Sequence, residues 1–285
     1  MNQKKYGNKG LRLVRRGAAA VLHTLFKALL CLLFAFPFYW MIITAFKSNA
    51  EIALNPPTLF PQVFDFSGFK AIFAVDLSKY IKNSLVVVFW TTVLQLLIMV
   101  PTAYVFAKYS FKGKGFFFSW IMVGFMVPGC ITFVAVYRLF AMAGMLESYI
   151  PQIVPMICNG FGIFLLRQNF MQVPEELIES ARLDEANEFQ IVMKIMLPMA
   201  KSTLITIMLL SVMGTWNSYF WPLIMTLSDT YRPLPVFIES LKALEGGMQW
   251  PVIMAGNVVL VLPVLLAFLL ASKKIIASLA YRGVK

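Results

Sequence analysis

The chain has 285 residues, of which 60% are apolar and 13% charged, and it carries a formal net charge of +12. A soluble domain is about 45–50% apolar and about 25% charged, so this composition excludes one and points to a protein embedded in a bilayer. Three cysteines and one histidine leave little material for a metal or redox centre.

A membrane-spanning helix needs about 20 mostly apolar residues. Six charge-free windows meet or approach that length: Ala28–Phe46, Asn83–Ala107, Phe116–Tyr137, Tyr149–Leu166, Ser202–Ser228 and Gly246–Ser272. The expected fold is therefore an all-α integral membrane protein with six transmembrane helices. The fourth window is short and calls for a proline-containing extension, while the last two are long enough to include loop.

In chain order, residues 1–18 read as a mobile basic cytosolic arm able to touch anionic lipid, followed by the first spanning helix over 19–46. A signal peptide also begins with basic residues and an apolar run. Here no small-residue cleavage site follows and the window is long enough to span, so the helix is read as retained. Residues 47–80 form an external segment, broken by Asn55-Pro56-Pro57 and Phe60-Pro61 and rich in phenylalanine. It is too polar to span and aromatic enough to lie along the interface or against a partner. Residues 81–274 hold the remaining five helices and a charged loop at 170–200, and residues 275–285 form a cytosolic tail.

Orientation follows from Lys and Arg, which accumulate in cytoplasmic loops. With the N-terminus inside, the inner segments carry 17 basic residues and the outer segments 7, with Lys27 at the start of the first span. Both termini and the loop at 167–201 are thus expected in the cytoplasm of a multi-pass membrane protein. The basic residues are scattered over separate loops rather than gathered on one face, which argues against nucleic acid as a partner.

Cys31, Cys130 and Cys158 fall in separate windows with no C-x-x-C spacing and read as buried, inert thiols. His23 cannot form a metal site alone, so no metal is expected. Trp216, Trp221 and Trp250 fit an aromatic belt at the outer interface. Pro37, Pro101, Pro128, Pro198, Pro222 and Pro263 each remove a helical hydrogen bond. Such breaks are tolerated in a membrane where the freed backbone faces protein or a watery cavity, so they read either as packing kinks or as bends around a solute pathway.

The loop at 173–198 is the charged exception between greasy runs. Pro174 suits a first helical position, with Glu175 and Glu176 at the positive end of the helix dipole. Leu177, Ile178 and Ala181 share one face, and Glu176, Glu179 and Arg182 the other. A second helix is expected from Asn187, an N-cap with Gln190 placed as in a capping box. Phe189, Val192, Ile195 and Met196 would form its apolar stripe, and Pro198 its passage into the next span. A helix pair lying on lipid is usually Lys/Arg-rich on its polar face. This one mixes acids and bases, which favours a protein partner.

The residues Glu179-Ser180-Ala181-Arg182-Leu183-Asp184-Glu185-Ala186, closed by Ile195-Met196-Leu197-Pro198, resemble the EAA loop of bacterial ABC importer permeases. The similarity is closest to the carbohydrate-importer branch that includes the smaller maltose-type permease. Further segments agree in order: Phe36-Pro37-Phe38-Tyr39-Trp40-Met41, Asn83-Ser84-Leu85, Phe111-Lys112-Gly113-Lys114, Phe161–Gln168, Trp216–Leu223 and the terminal Gly283-Val284-Lys285. The resemblance covers nearly all of the chain beyond the basic arm. It implies a type I ABC importer permease architecture, with Glu179, Ala181, Asp184 and Ala186 lining the coupling helix and Ile195, Leu197 and Pro198 ending the motif. It also implies four kinds of partner: a second permease subunit, two ATPase subunits, an extracytoplasmic solute-binding protein and membrane lipid.

Where the family has glycine after the aspartate, this chain has Glu185. A non-glycine residue in a left-handed turn costs about 1–2 kcal/mol. Either Glu185 accepts that strain or the bend is reshaped. The chain has no P-loop, so it is expected to be a non-catalytic subunit with no cofactor of its own, ATP being bound by its partners.

Two rival classes remain. A stand-alone secondary transporter usually holds ionisable residues at mid-membrane, and these windows hold almost none. An intramembrane enzyme would need a nucleophile–base pair or an H-E-x-x-H, which is lacking. Among importers, a permease for a non-sugar solute is the alternative. Asn217, Ser218, Tyr219 and Asn257 offer the amide, hydroxyl and aromatic groups a sugar pathway would use, and they would serve equally as interhelical hydrogen-bonding glue.

Overall fold

The computed structural model describes residues 3–243 and 249–280. The chain divides into two units, the first comprising Met1–Ala74 and Gly246–Val259 and the second Val75–Glu245 and Leu260–Lys285. Among the described residues all regular structure is helical.

In the first unit, α1 runs unbroken from Gln3 to Ala45 and passes Pro37 without ending. The helix therefore begins well before residue 19, where the sequence divides arm from span: the basic segment is helical rather than a separate arm. From Val21 to Phe38 its large apolar side chains are exposed on the protomer, and burial begins at Ile43. His23 and Cys31 also face outward.

The segment that follows is ordered by a small polar knot. The buried Lys47 ammonium donates to the Thr58 carbonyl and lies 4.7 Å from the centroid of the Trp40 ring. The Glu51 carboxylate accepts from the Thr58 hydroxyl at 2.7 Å and from the Gln62 N–H at 3.0 Å. Two short helices result, α2 (Asn49–Ile52), capped by Ser48, and α3 (Ser67–Ala74). Part of the phenylalanine content packs on the chain itself, since Phe64, Phe66 and Phe69 surround Phe46 at 4.9–6.0 Å between centroids. Gly68 is required by close approach: a Cβ there would lie 2.7 Å from the Pro251 carbonyl oxygen.

The second unit begins with α4 (Leu77–Lys108), a 32-residue helix that starts slightly before the external segment was expected to end. The third window is not one straight span. It divides into α5 (Lys114–Met126) and α6 (Gly129–Met142), and Lys114–Met126 meets Ile131–Met142 at 96°. Val127 is extended at the break, as the residue before a proline is pushed to be. The fourth span is extended to Met171, but by residues without a proline, and its prolines Pro151 and Pro155 lie within the original window. Ile150–Met171 comprises α7 (Ile150–Ile153), a 3₁₀ turn at Val154–Met156 and α8 (Gly160–Met171), whose first turn is capped by Asn159.

The charged loop supplies α9 (Glu175–Leu183), α10 (Glu188–Ile191), a π turn at Val192–Met196 and α11 (Leu197–Met199). It leads into α12 (Lys201–Trp216) at 85°, followed by α13 (Phe220–Met225) and α14 (Leu234–Ser240). The last helix, α15, runs from Trp250 to Ala280 without breaking at Pro263, and so extends into the expected tail. The Gly246-Gly247 break and the side chain of Cys130 lie outside the described residues.

Met99 and Ala103 of α4, Ile163, Leu166 and Phe170 of α8 and Ile207 of α12 form the core of this unit. Gly162 makes the approach possible, since a Cβ on it would stand 2.4 Å from Met99 Sδ. Two expectations fail. Cys158 is exposed on the protomer, as is Cys31. Trp216 is buried, its indole N–H donating to the Leu260 carbonyl at 3.0 Å, because an indole buried among helices needs an acceptor that a belt position would find in water.

Candidate functional site

The loop between α8 and α12 is a hairpin of two short helices with one buried side. Ile178 of α9, Ile191 of α10 and Met196 of the π turn are fully buried in the core cluster, with Ala181, Ala186, Ile195 and Leu197 packed against them. Glu179, Asp184, Glu185 and Pro198 face outward. Pro174 is the N-cap of α9 rather than its first residue, leaving Glu175 and Glu176 in the first turn as expected. Two positions assigned to the apolar faces are turned away from the core: Leu177 is 44% exposed and Phe189 73% exposed. Each short helix offers the core fewer than three turns, so its buried stripe is narrower than the sequence periodicity allows.

Glu185 accepts the left-handed conformation, with φ of 58°. The backbone around it is a Schellman ending: the Ala186 N–H donates to the Ala181 carbonyl at 2.9 Å and the Glu185 N–H to Arg182 at 3.1 Å. The bend is thus kept in spite of the side chain. Asn187 then opens α10 with a complete capping box, its Oδ1 accepting from the Gln190 N–H at 2.9 Å while its own N–H donates to Gln190 Oε1 at 3.0 Å.

Two struts join the hairpin to the end of α4. Lys108 donates to the Val173 carbonyl at 2.6 Å and pairs with Glu175 at 3.0 Å. The Tyr104 hydroxyl donates to Glu188 Oε2 at 2.6 Å, and Arg182 donates to the other oxygen at 3.1–3.2 Å. Burial pushes the Glu188 carboxyl up, but the Tyr104 and Tyr109 hydroxyls and the Arg182 charge outweigh it and hold the group below its ordinary range. Arg182 also lies 5.9 Å from the centroid of the Tyr109 ring, whose edge meets Tyr104. Glu188 is among the residues lining an apolar cleft of about 560 Å³, with Leu96, Val100, Pro101, Val192 and Leu204. The π turn beside it precedes Pro198, which has no N–H to return to the Lys194 carbonyl.

This hairpin, fixed to the bundle on one side and carrying a charged outer face, sits within a segment with known relatives. Residues 99–273 match the family described as the binding-protein-dependent transport system inner membrane component. The chain belongs to that family. It is 32% identical over 267 residues to the arabinooligosaccharides transport system permease protein AraQ of Bacillus subtilis, covering 92% of this chain and 94% of that protein. It is 29% identical to the diacetylchitobiose uptake system permease protein DasC of Streptomyces coelicolor, covering 88% and 91%. Its fold is similar to a chain in the crystal structure of a bacterial ABC transporter involved in import of the acidic polysaccharide alginate, with a TM-score of 0.79, 24% identity and coverage of 90% and 96%.

In this permease the candidate pathway residues are less gathered than the hairpin. Asn217, Ser218 and Tyr219 form the break between α12 and α13, where the Asn217 side chain donates to the Met213 carbonyl at 2.9 Å and Tyr219 is partly exposed. Asn257 is half-buried on α15, in the first unit. Sequence reasoning missed Tyr104, Lys108 and Glu188. The available signal was a tyrosine hydroxyl and an ammonium at the inner end of a span, each needing a partner, beside a loop rich in acids.

Proposed function

We propose that this chain is one of two permease subunits of an ATP-driven, binding-protein-dependent carbohydrate importer. In this reading it lines part of the solute path while partner subunits hydrolyse ATP. The relatives named for arabinooligosaccharide and diacetylchitobiose transport support the carbohydrate class. The chain itself is a conduit and a transmission element, with both termini and the hairpin in the cytoplasm, as the 17-to-7 division of basic residues favours. A second permease, two ATPase subunits, an extracytoplasmic solute-binding protein and lipid complete the assembly. Asn217, Ser218, Tyr219 and Asn257 supply hydrogen-bonding groups toward the path.

The observation that carries the reading is the one-sided hairpin. Its apolar side is consumed by the core, while Glu179, Leu183, Asp184 and Glu185 stand free, Leu183 being 85% exposed. A loop built rigidly and left with a charged rim around an apolar tip is made to be held by another protein. Glu179 and Asp184 can accept charge-assisted hydrogen bonds from basic groups of an ATPase cleft. Truncating such a carboxylate opposite a buried cation costs about 2–5 kcal/mol at an interface. Glu179→Ala with Asp184→Ala is therefore expected to release the ATPase subunits or uncouple hydrolysis from uptake, with the permease still inserted. Uptake at the parental rate with the ATPase fully bound would refute the assignment.

A further inference from the structure

We infer that Glu188 is a positioning residue that carries motion of the hairpin into α4. This rests on the reading of the hairpin as the ATPase-docking element and adds the route by which its motion enters the membrane.

The covalent chain gives the hairpin two connections, back to α8 through Gln172–Pro174 and on to α12 through the π turn. Neither reaches α4. That helix is a continuous rod of 32 residues from Leu77 to Lys108, with Pro101 inside it, and shares the core with α8 and α12. Tyr104 lies one turn from its inner end, so a displacement applied there is passed to the neighbouring core residues Ala103 and Met99. What attaches the hairpin to that end is polar and specific. Glu188, the first residue of α10, binds Tyr104 of α4 with one carboxylate oxygen and Arg182 of α9 with the other. One side chain thus joins both arms of the hairpin to the rod.

The two ends of this link differ in what holds them. Tyr104 is buried, with its ring against Phe170 and Tyr109. Glu188 is fixed by the Asn187 capping box immediately before it. Arg182 sits two residues before the C-cap Asp184, after which the left-handed Glu185 turns the chain. The hairpin's buried face, by contrast, consists of the apolar side chains Ile178, Ile191 and Met196, whose contacts have no direction of their own. Lys108, bound to Val173 and Glu175, ties α4 to the entry of α9 and so constrains the loop's base rather than its turn. Glu188 is the polar attachment that reports the position of the turn itself.

The test uses the complete importer in liposomes, with binding protein and solute, reading solute moved per ATP hydrolysed beside retention of the ATPase subunits. Tyr104→Phe removes one hydroxyl and leaves the ring packing. Glu188→Ala removes the link, and Glu188→Gln keeps an acceptor for Tyr104. Tyr104→Phe and Glu188→Ala are expected to lower transport per ATP by about 2- to 30-fold, the span that changes along such networks produce, with the ATPase subunits still bound. The double variant should be no worse than Glu188→Ala, and Glu188→Gln, which still accepts from Tyr104 but faces Arg182 with an amide donor, should fall between Glu188→Ala and the unaltered chain. Unchanged coupling in assembled variants would overturn the inference, and so would loss of the ATPase subunits, since that would make Glu188 part of the dock. If the unaltered chain retains no ATPase subunit, the docking reading itself fails, which is a separate outcome.

Discussion

Gln95 and Ser211 meet inside the second unit, the serine hydroxyl donating to Gln95 Oε1 at 2.6 Å. The glutamine amide in turn donates to the Met156 carbonyl at 2.6 Å, at the end of the 3₁₀ turn that interrupts the fourth span. A single buried side chain on α4 thus satisfies a carbonyl at a helix break and joins α12. Buried polar links between membrane helices contribute about 0.6–2 kcal/mol. Gln95→Leu is expected to lower stability by that amount, read as a lower unfolding midpoint in detergent. An unchanged midpoint would mean that lipid-facing packing alone holds these helices.

Glu147 is the second handle, on the loop between α6 and α7. Its φ is 57°, and its carboxylate accepts from the backbone N–H groups of Leu227 and Ser228 and from the Ser228 hydroxyl. Arg232, paired with Asp229, donates to the Leu227 carbonyl at 3.1 Å from the same loop. Burial raises the Glu147 carboxyl, but the Ser228 hydroxyl, the two N–H groups and the Arg232 charge lower it further, so the net direction is down. A depressed folded value means the clasp contributes fully above the ordinary glutamate range, about 4.3, and is lost as pH falls through the lower folded value. Protection of the Leu227 and Ser228 amides, measured against their intrinsic exchange at each pH, should therefore be high at neutral pH and fall in acid below the usual carboxylate range. Glu147→Gln should remove that dependence; an acid transition that persists in this variant would assign it to another group.

Glu185→Gly tests the strained bend. Glycine relieves about 1–2 kcal/mol of left-handed strain but returns about 0.5–1 kcal/mol of backbone entropy to the unfolded chain. A net stabilisation of about 1 kcal/mol or less is expected, with uptake retained. A measured loss of stability would show that the Glu185 side chain has a compensating contact in the assembled importer.

Six apolar windows, the preference of Asn187 and Gln190 for a capping box, and the charged hairpin between greasy runs are all written locally. A bilayer demands about 20 apolar residues whatever the neighbours, and a cap needs only partners three residues away. The sequence therefore determined the helical class and the place of the hairpin. It could not decide between strain and reshaping at Glu185, because that balance depends on whether Ala181 and Ala186 are drawn to the core on both sides of the turn, as they are. Nor did apolarity reveal the 96° bend between α5 and α6, since hydropathy has no direction. The pairing of Tyr104 with Glu188 lies further still from local rules. It joins residues 84 positions apart, and a hydroxyl and a carboxylate choose each other only after apolar packing of α4, α8 and the hairpin has brought them within reach.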